Sequence, residues 1–537
     1  MIRFLIIFSS ILISQGYQDA RMLGLGGAYT TLSSGYRAVG INPANINNGT
    51  NWTVNVFSST STLSNNFLTI DRYNQINGAH FDNPLAPSYY PKEKIQNILN
   101  GEGIQLRFNS ITSIPGLNFS KDNYAFTSNM IMYGDIKFPQ AFVDIMFFGN
   151  EVGKELDMAF NQNMIATLET GFTYCKNLDE ISIGLTGKYL QGIYYSNMEQ
   201  LGNAFFKTDT TAFLGNGNYL IKQGLGGSGI AFDIGFSTTE FDNGMKFGAS
   251  LINAFSSMEW NKNTPLREGL EKAGINFPVR EKEYFFFNFS VDSLNAQTLL
   301  AATAEDIFKT DTYKVSIIDL EDVPVINPLE YNESDLPPFY IDSNNSLSDI
   351  ESSDDSIIDS DRIVLLEDGR VIIPTENLSD GDLELFKSIP FKTDYPTFLR
   401  FGFSKSFYEE DILFAVDIMT GLDNTFINEE KWKISLGAEI NKNPKVPIRL
   451  GVTLGGKDRY RYSLGSGYSF GSMKIDVAYG YIGSFKSSSA RGVDLSLNIY
   501  YDYIESSEDE LTFIDKIKTF FTNLFSKVKE RSSNKTD

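Results

Sequence analysis

The chain has 537 residues and a formal net charge of −22, and no nucleic-acid partner is expected. Aromatic residues make up 14%, with 43 Phe and 27 Tyr, while the mean hydropathy is slightly negative. That combination suits a barrel with an apolar outside, aromatic girdles and a polar inside. One Cys (Cys175) excludes an intrachain disulfide and a thiolate cluster, and one His (His80) argues against a His-based zinc site or a catalytic triad, so no metal, cofactor or enzymatic activity is expected.

At the start, Arg3 precedes the apolar run Phe4 to Ile13, and Ser14-Gln15-Gly16 offers small residues where a signal peptidase reads. Residues 1–16 therefore read as a signal peptide. No uninterrupted apolar run of 18 residues follows, so membrane residence has to come from strands. Next comes the glycine-rich stretch Arg21 to Asn45, in which Gly24, Gly26, Gly27 and Gly35 remove side chains where a backbone passes close to something else. Asn42-Pro43 is a turn signal. A nucleotide-binding reading of these glycines fails, because neither a strand-turn-helix context nor a ribose-binding acid follows. Residues 17–50 are expected to form a compact, closely packed plug.

Ala20, Arg21, Gly24, Gly26, Gly27, Ala28 and Tyr29, followed by Asn42, Pro43 and Ala44, make a pattern that resembles the N-terminal segment of the FadL-type outer-membrane family of long-chain fatty-acid transporters and its PorV-like relatives. The resemblance implies a barrel in the outer membrane of a Gram-negative-type bacterium. It also implies a plug that enters the lumen from the periplasmic side, with Arg21, Gly24, Gly26, Gly27, Tyr29, Asn42 and Pro43 as its key residues.

Alternation of apolar and polar residues predicts strands at roughly 52–62, 104–112, 121–134, 164–174, 181–195, 228–239 and 244–259, and seven more between 396 and 503. The expected fold is all-β, a transmembrane antiparallel barrel of about 14 strands, within 12 to 16, its two parts at 51–260 and 396–504. Inward alternation puts Lys433, Glu439, Arg449, Arg459, Arg461, Lys474, Asp476 and Asp494 in the lumen. Short connections such as Asn177 to Glu180, Tyr408 to Asp411 and Gly471-Ser472 mark the periplasmic side.

Two amphipathic stretches, Pro91 to Asn100 and Phe138 to Phe148, read as helices in extracellular loops. Residues 261–395 form one long extracellular insertion. From Asn295 to Tyr395 it carries 23 Asp and Glu against 6 Lys and Arg, a net −17 of the chain's −22, which marks a solvated segment. Its aspartates lack the register of an EF-type calcium loop. In the tail, 505–537, Ser507 and Glu510 make a capping box ahead of an apolar stripe from Phe513 to Val528, an amphipathic periplasmic helix.

Two functions fit. One is a gated channel for uptake of hydrophobic small molecules such as long-chain fatty acids, with outer-membrane lipid and the ligand as partners. The other is a non-transporting, PorV-like carrier or docking subunit, whose partner is a periplasmic or secretion-machinery protein. An enzyme is not expected, since no nucleophile–base pair can be named.

Overall fold

The computed structural model describes residues 18–47, 52–148, 152–210, 212–260, 392–408, 411–423, 431–456 and 459–503, with shorter stretches between 272 and 372. The expected leader and the C-terminal amphipathic helix lie outside the described residues.

The barrel strands are β1 Trp52–Asn65, β2 Ile104–Ser113, β3 Tyr124–Phe138, β4 Asn161–Leu178, β5 Ile181–Thr208, β6 Ala212–Thr238 and β7 Met245–Trp260 in the first part. The second part holds β8 Phe398–Phe407, β9 Ile412–Gly421, β10 Lys433–Ile440, β11 Ile448–Gly455, β12 Arg459–Phe470, β13 Met473–Ile482 and β14 Gly492–Tyr503. Each strand pairs antiparallel with the next, and β1 pairs with β14 from Trp52↔Tyr503 to Ser64↔Gly492, which closes a barrel of 14 strands. Closure leaves no open edge within the wall, the condition for spanning lipid with strands.

Alternation does not by itself distinguish this fold from a soluble sandwich, but burial does. On β13 and β14 the apolar Val477 and Leu495 are 50% and 57% exposed, whereas Asp494 is 1% exposed and Asn498 0%. Polar side chains line the inside and apolar ones face outward, the reverse of a soluble protein. The chain is an outer-membrane-type β-barrel. Outward aromatic pairs gather at the strand ends joined by short turns: Tyr124 with Tyr174 at 5.2 Å, Phe247 with Phe403 at 5.2 Å, Phe407 with Phe414 at 5.8 Å and Tyr468 with Phe470 at 4.4 Å. Such a belt sits at the lipid–water boundary.

The N-terminal segment holds a short helix, α1 (Ala20–Gly24), and 3-10 turns at Gly35–Ala38 and Pro43–Asn45. Three more helices lie at the other end of the barrel: α2 (Ile70–Ile76), α3 (Lys92–Leu99) and α4 (Gln140–Phe148). The sequence anticipates α3 and α4 and misses α2. Helix α3 starts after Pro91 and stops at Asn100 in a left-handed conformation, φ 50°. Its buried Ile95 and Leu99 pack with Phe67, Tyr90 and Val143, so two loops share one small core.

The second departure concerns length. Strands β5 and β6 were expected to cover 181–195 and 228–239, yet they pair from Ile181↔Thr238 up to Thr208↔Phe213. About 10 residues cross a membrane as a tilted strand, so the hairpin continues well beyond it. Within the insertion, Lys282–Asn295 pairs with β6, and Tyr313–Asp319 pairs with Lys282–Asn295. Five short strands between Val325 and Ile372 form a separate sheet. The acidic stretch is therefore not uniformly irregular: Phe339–Ile341 and Leu347–Asp349 pair with each other despite the acids around them.

Candidate functional site

Residues 18–47 lie inside the barrel, near the ends joined by short turns. The local fold begins at Asp19, whose carboxylate caps α1 by accepting from Met22 N at 2.8 Å and also accepts from Tyr29 OH at 3.3 Å. Burial pushes the Asp19 carboxyl above its ordinary range, against the pull of the Arg37 charge. Helix α1 ends where Gly26 and Gly27 turn left-handed, φ 62° and 92°, and Gly27 N donates to Met22 O at 2.9 Å. Here glycine is needed twice over: a Cβ on Gly26 would stand 2.8 Å from Val452 N, and one on Gly24 would stand 3.0 Å from Gly465 Cα.

The wall is shaped to match. A Cβ on Gly451 would stand 2.0 Å from Gly26 N, one on Gly402 would stand 2.6 Å from Thr30 Cβ, and one on Gly437 would stand 2.8 Å from Leu25 O. Inward glycines on three strands thus let the segment lie backbone against backbone. On the far side Asn42 donates through Nδ2 to Thr30 O at 3.1 Å and to Phe236 O on β6 at 2.9 Å, and a Cβ on Gly184 of β5 would collide with the Pro43 backbone. Met22, Leu23, Leu25, Tyr29 and Ile41 are buried in one cluster with Ala415 and Ala478 of the wall. Each large apolar side chain removed from water contributes about 1.5–3 kcal/mol.

Ion pairs fix the segment's position. Arg21 meets Glu439 with two hydrogen bonds, 2.9 and 2.8 Å. Glu439 also accepts from Arg449 at 2.6 Å, and Arg449 donates to Asp476 at 2.7 Å. Tyr500 OH donates to Asp476 at 3.1 Å, and the Arg37 guanidinium lies 4.3 Å from the Tyr500 ring centroid. A second group sits on β8 and β9. Asp417 accepts from Tyr29 N at 3.0 Å, Thr30 N at 2.9 Å, Thr30 Oγ1 at 2.5 Å and Arg400 Nη2 at 3.1 Å. Arg400 in turn donates to Gly27 O at 3.0 Å. Charge-assisted bonds in such a dry setting are strong and directional.

Of the charges assigned to the lumen from sequence, Glu439, Arg449 and Asp476 join the Arg21 network, while Arg461 and Asp494 pair with each other at 3.0 Å. Lys474 pairs with Asp502 at 2.7 Å. Lys433 is half-buried at the opposite end of β10, and Arg459 is exposed as the first residue of β12, with φ 64°. Neither reaches the N-terminal segment. Asp417 and Arg400 also stand at inward positions of regular strands, although neither is among the charges assigned to the lumen from sequence.

Away from this segment, the inner faces of β2 to β7 carry an unusual group. Ile111, Ile131, Tyr133, Ile165, Leu190, Tyr195, Ala231, Met258, Trp260 and Tyr395 form one buried apolar cluster. Beside it Lys188 Nζ lies 3.1 Å from Glu169, 3.0 Å from Asp233 and 2.8 Å from Asn253 Oδ1.

Residues 43–213 match a family of unknown function (DUF5723). No curated protein matches the chain. Among solved structures it is similar to the toluene transporter TodX of P. putida, with 11% identity, 91% of this chain and 99% of that chain covered, and a TM-score of 0.42. It is also similar to the CymD monoaromatic hydrocarbon channel, with 10% identity, 91% and 98% covered and a TM-score of 0.43. A TodX deltaS2S3 mutant gives 11% identity, 91% and 99% covered and a TM-score of 0.45.

Proposed function

We propose that the chain is an outer-membrane channel for hydrophobic small molecules and that residues 18–47 are the plug that gates it. The observation that carries this reading is the apolar cluster on the lumen side of the wall away from residues 18–47, from Ile111 to Tyr395. A barrel that passed only water and ions would line its inside with polar groups throughout, whereas a path for apolar solutes needs apolar surface on which to rest them. The fatty acids implied by the N-terminal motif are one candidate cargo.

Purification in mild detergent followed by mass spectrometry of the bound lipids and small molecules tests this. A hydrophobic compound held near one per chain is the expected result. A stoichiometric protein with no such compound would instead favour the docking reading, for which the extension of β5 and β6 beyond the membrane offers a surface.

A further inference from the structure

One buried side chain in the lumen cluster does not come from a barrel strand. Tyr395 belongs to the segment by which the long insertion returns to the barrel, and it is 1% exposed. Its hydroxyl shares a 3.2 Å hydrogen bond with Thr167 of β4. Around it lie Tyr133, Ile165, Leu190, Tyr195, Met258 and Trp260.

The wall is bent to admit it. Ile252 pairs with Phe398, and Ser257 pairs with Asp394, so β7 spends one residue more than its partner between those two points. Within that stretch Asn253 and Phe255 are both left-handed, φ 58° and 54°. Two non-glycine residues in that region carry strain, which persists where surrounding contacts impose it and often marks a site of function. Here the imposing contacts are those of the return segment. Asn253 Nδ2 donates to Pro396 O at 2.9 Å, Ser256 Oγ donates to Tyr395 O at 2.7 Å and Trp260 Nε1 donates to Thr393 Oγ1 at 2.8 Å.

Resting on the channel reading above, we propose that this pocket is a ligand site whose resident occupant is Tyr395, and that its ligand is an uncharged molecule with a flat apolar body and one hydrogen-bonding oxygen. The ring volume of Tyr395 defines the shape, and Thr167 supplies the polar contact. Charge is refused for a separate reason. Lys188 is the ammonium beside the pocket, and its three N–H groups already face Glu169, Asp233 and Asn253 Oδ1. With those donors taken, an anionic head group finds no free ammonium there and would enter a buried site unpaired. Burial, and then the nearby Glu169 carboxylate, hold the Tyr395 hydroxyl well above the ordinary phenol range, as expected of a pocket closed to anions.

The probe is p-cresol, the side chain of tyrosine as a free molecule, with 4-methylbenzoate as its anionic counterpart. Both are measured by equilibrium dialysis on the full chain in one detergent. Tyr395→Phe keeps the ring in place but loses the bond to Thr167, so the probe should displace it more easily and bind roughly 2- to 10-fold tighter than to the wild type. In a second variant, Ser257→Cys with Asp394→Cys, a disulfide joins residues that face each other across the ladder and fixes the return segment. Oxidised, that protein should lose p-cresol binding, and reduction should restore it. Equal binding to the locked and unlocked forms, or binding of 4-methylbenzoate as tight as that of p-cresol, would overturn the proposal. Permeation of apolar solutes into liposomes, read on the same preparations, separates the two readings: permeation that survives the lock leaves the channel standing and removes Tyr395 as its occupant.

Discussion

Asp417 ties the N-terminal segment down more firmly than Arg21 does, because it is 1% exposed and takes two backbone N–H groups and Thr30 Oγ1 at once, whereas the Arg21 side chain keeps 20% of its surface. Removing one member of a buried pair strands the other, at about 3–5 kcal/mol. Asp417→Asn leaves Arg400 without its carboxylate, so it should raise deuterium uptake across residues 20–45 more than Arg21→Ala does. Equal uptake would mean that apolar burial alone holds the segment. Gly451→Val acts from the wall: valine suits a strand, yet its Cβ would collide with Gly26 N. That variant should keep a closed barrel, seen as heat-modifiable mobility on gels, while exposing residues 20–45 to exchange. At this scale much was legible in the sequence. Gly24, Gly26 and Gly27 declare a close approach by themselves, but what they approach is stated nowhere in the chain, since Gly402, Gly437, Gly451 and Gly465 read only as small inward residues. Asp417 and Arg400 were legible in principle as lone charges at inward positions.

The β5–β6 hairpin, as an element, separates what spans the membrane from what stands above it. Ser196 pairs with Gln223, so replacing residues 197–222 by an Asn-Gly turn should leave the spanning part intact. Heat-modifiability should persist while the ladder with Lys282–Asn295 is lost; an unfolded product would show that the upper hairpin is needed for closure. Period-two alternation revealed the wall strands because each has one face in lipid and one in the lumen. Above the membrane that contrast fades, and the Gly- and Asn-rich run from 215 to 227 shows no strand signal even though every residue in it but Gly226 is paired. Helix α2 is a further case, too short to show a period. It is held by Asp71, which accepts from Ser489 Oγ at 2.5 Å and from Lys486 Nζ at 3.2 Å. Hydrogen bonds from Ser489 and its neighbours lower the Asp71 carboxyl below its ordinary range. A carboxyl lowered by folding stabilises above its unfolded value and loses that contribution as pH falls through the folded one. Loop 66–103 should therefore become more open to protease below the ordinary carboxylate range and not at neutral pH. Cleavage that is independent of pH would show that the Asp71 contacts do not hold it.

For the molecule as a whole, strand parity sets the sides. Seven strands from β8 to β14 put residues 395 and 503 at opposite ends, and the connections 408–411, 441–447 and 471–472 share the end where β14 stops. Short turns mark the periplasmic side, so the insertion is expected outside and the tail inside. Protease added to intact cells should cut between Ser343 and Asp361 and spare a tag placed after Asp537; the reverse pattern would invert the topology. On the channel reading, residues 18–47 restrict the lumen. Planar-bilayer conductance of the full chain, set against a variant lacking those residues and shown to be folded by heat-modifiability, tests it most directly. Small, rare openings are expected for the full chain and a large, steady conductance for the deletion. Equal conductance from the two folded proteins would contradict it.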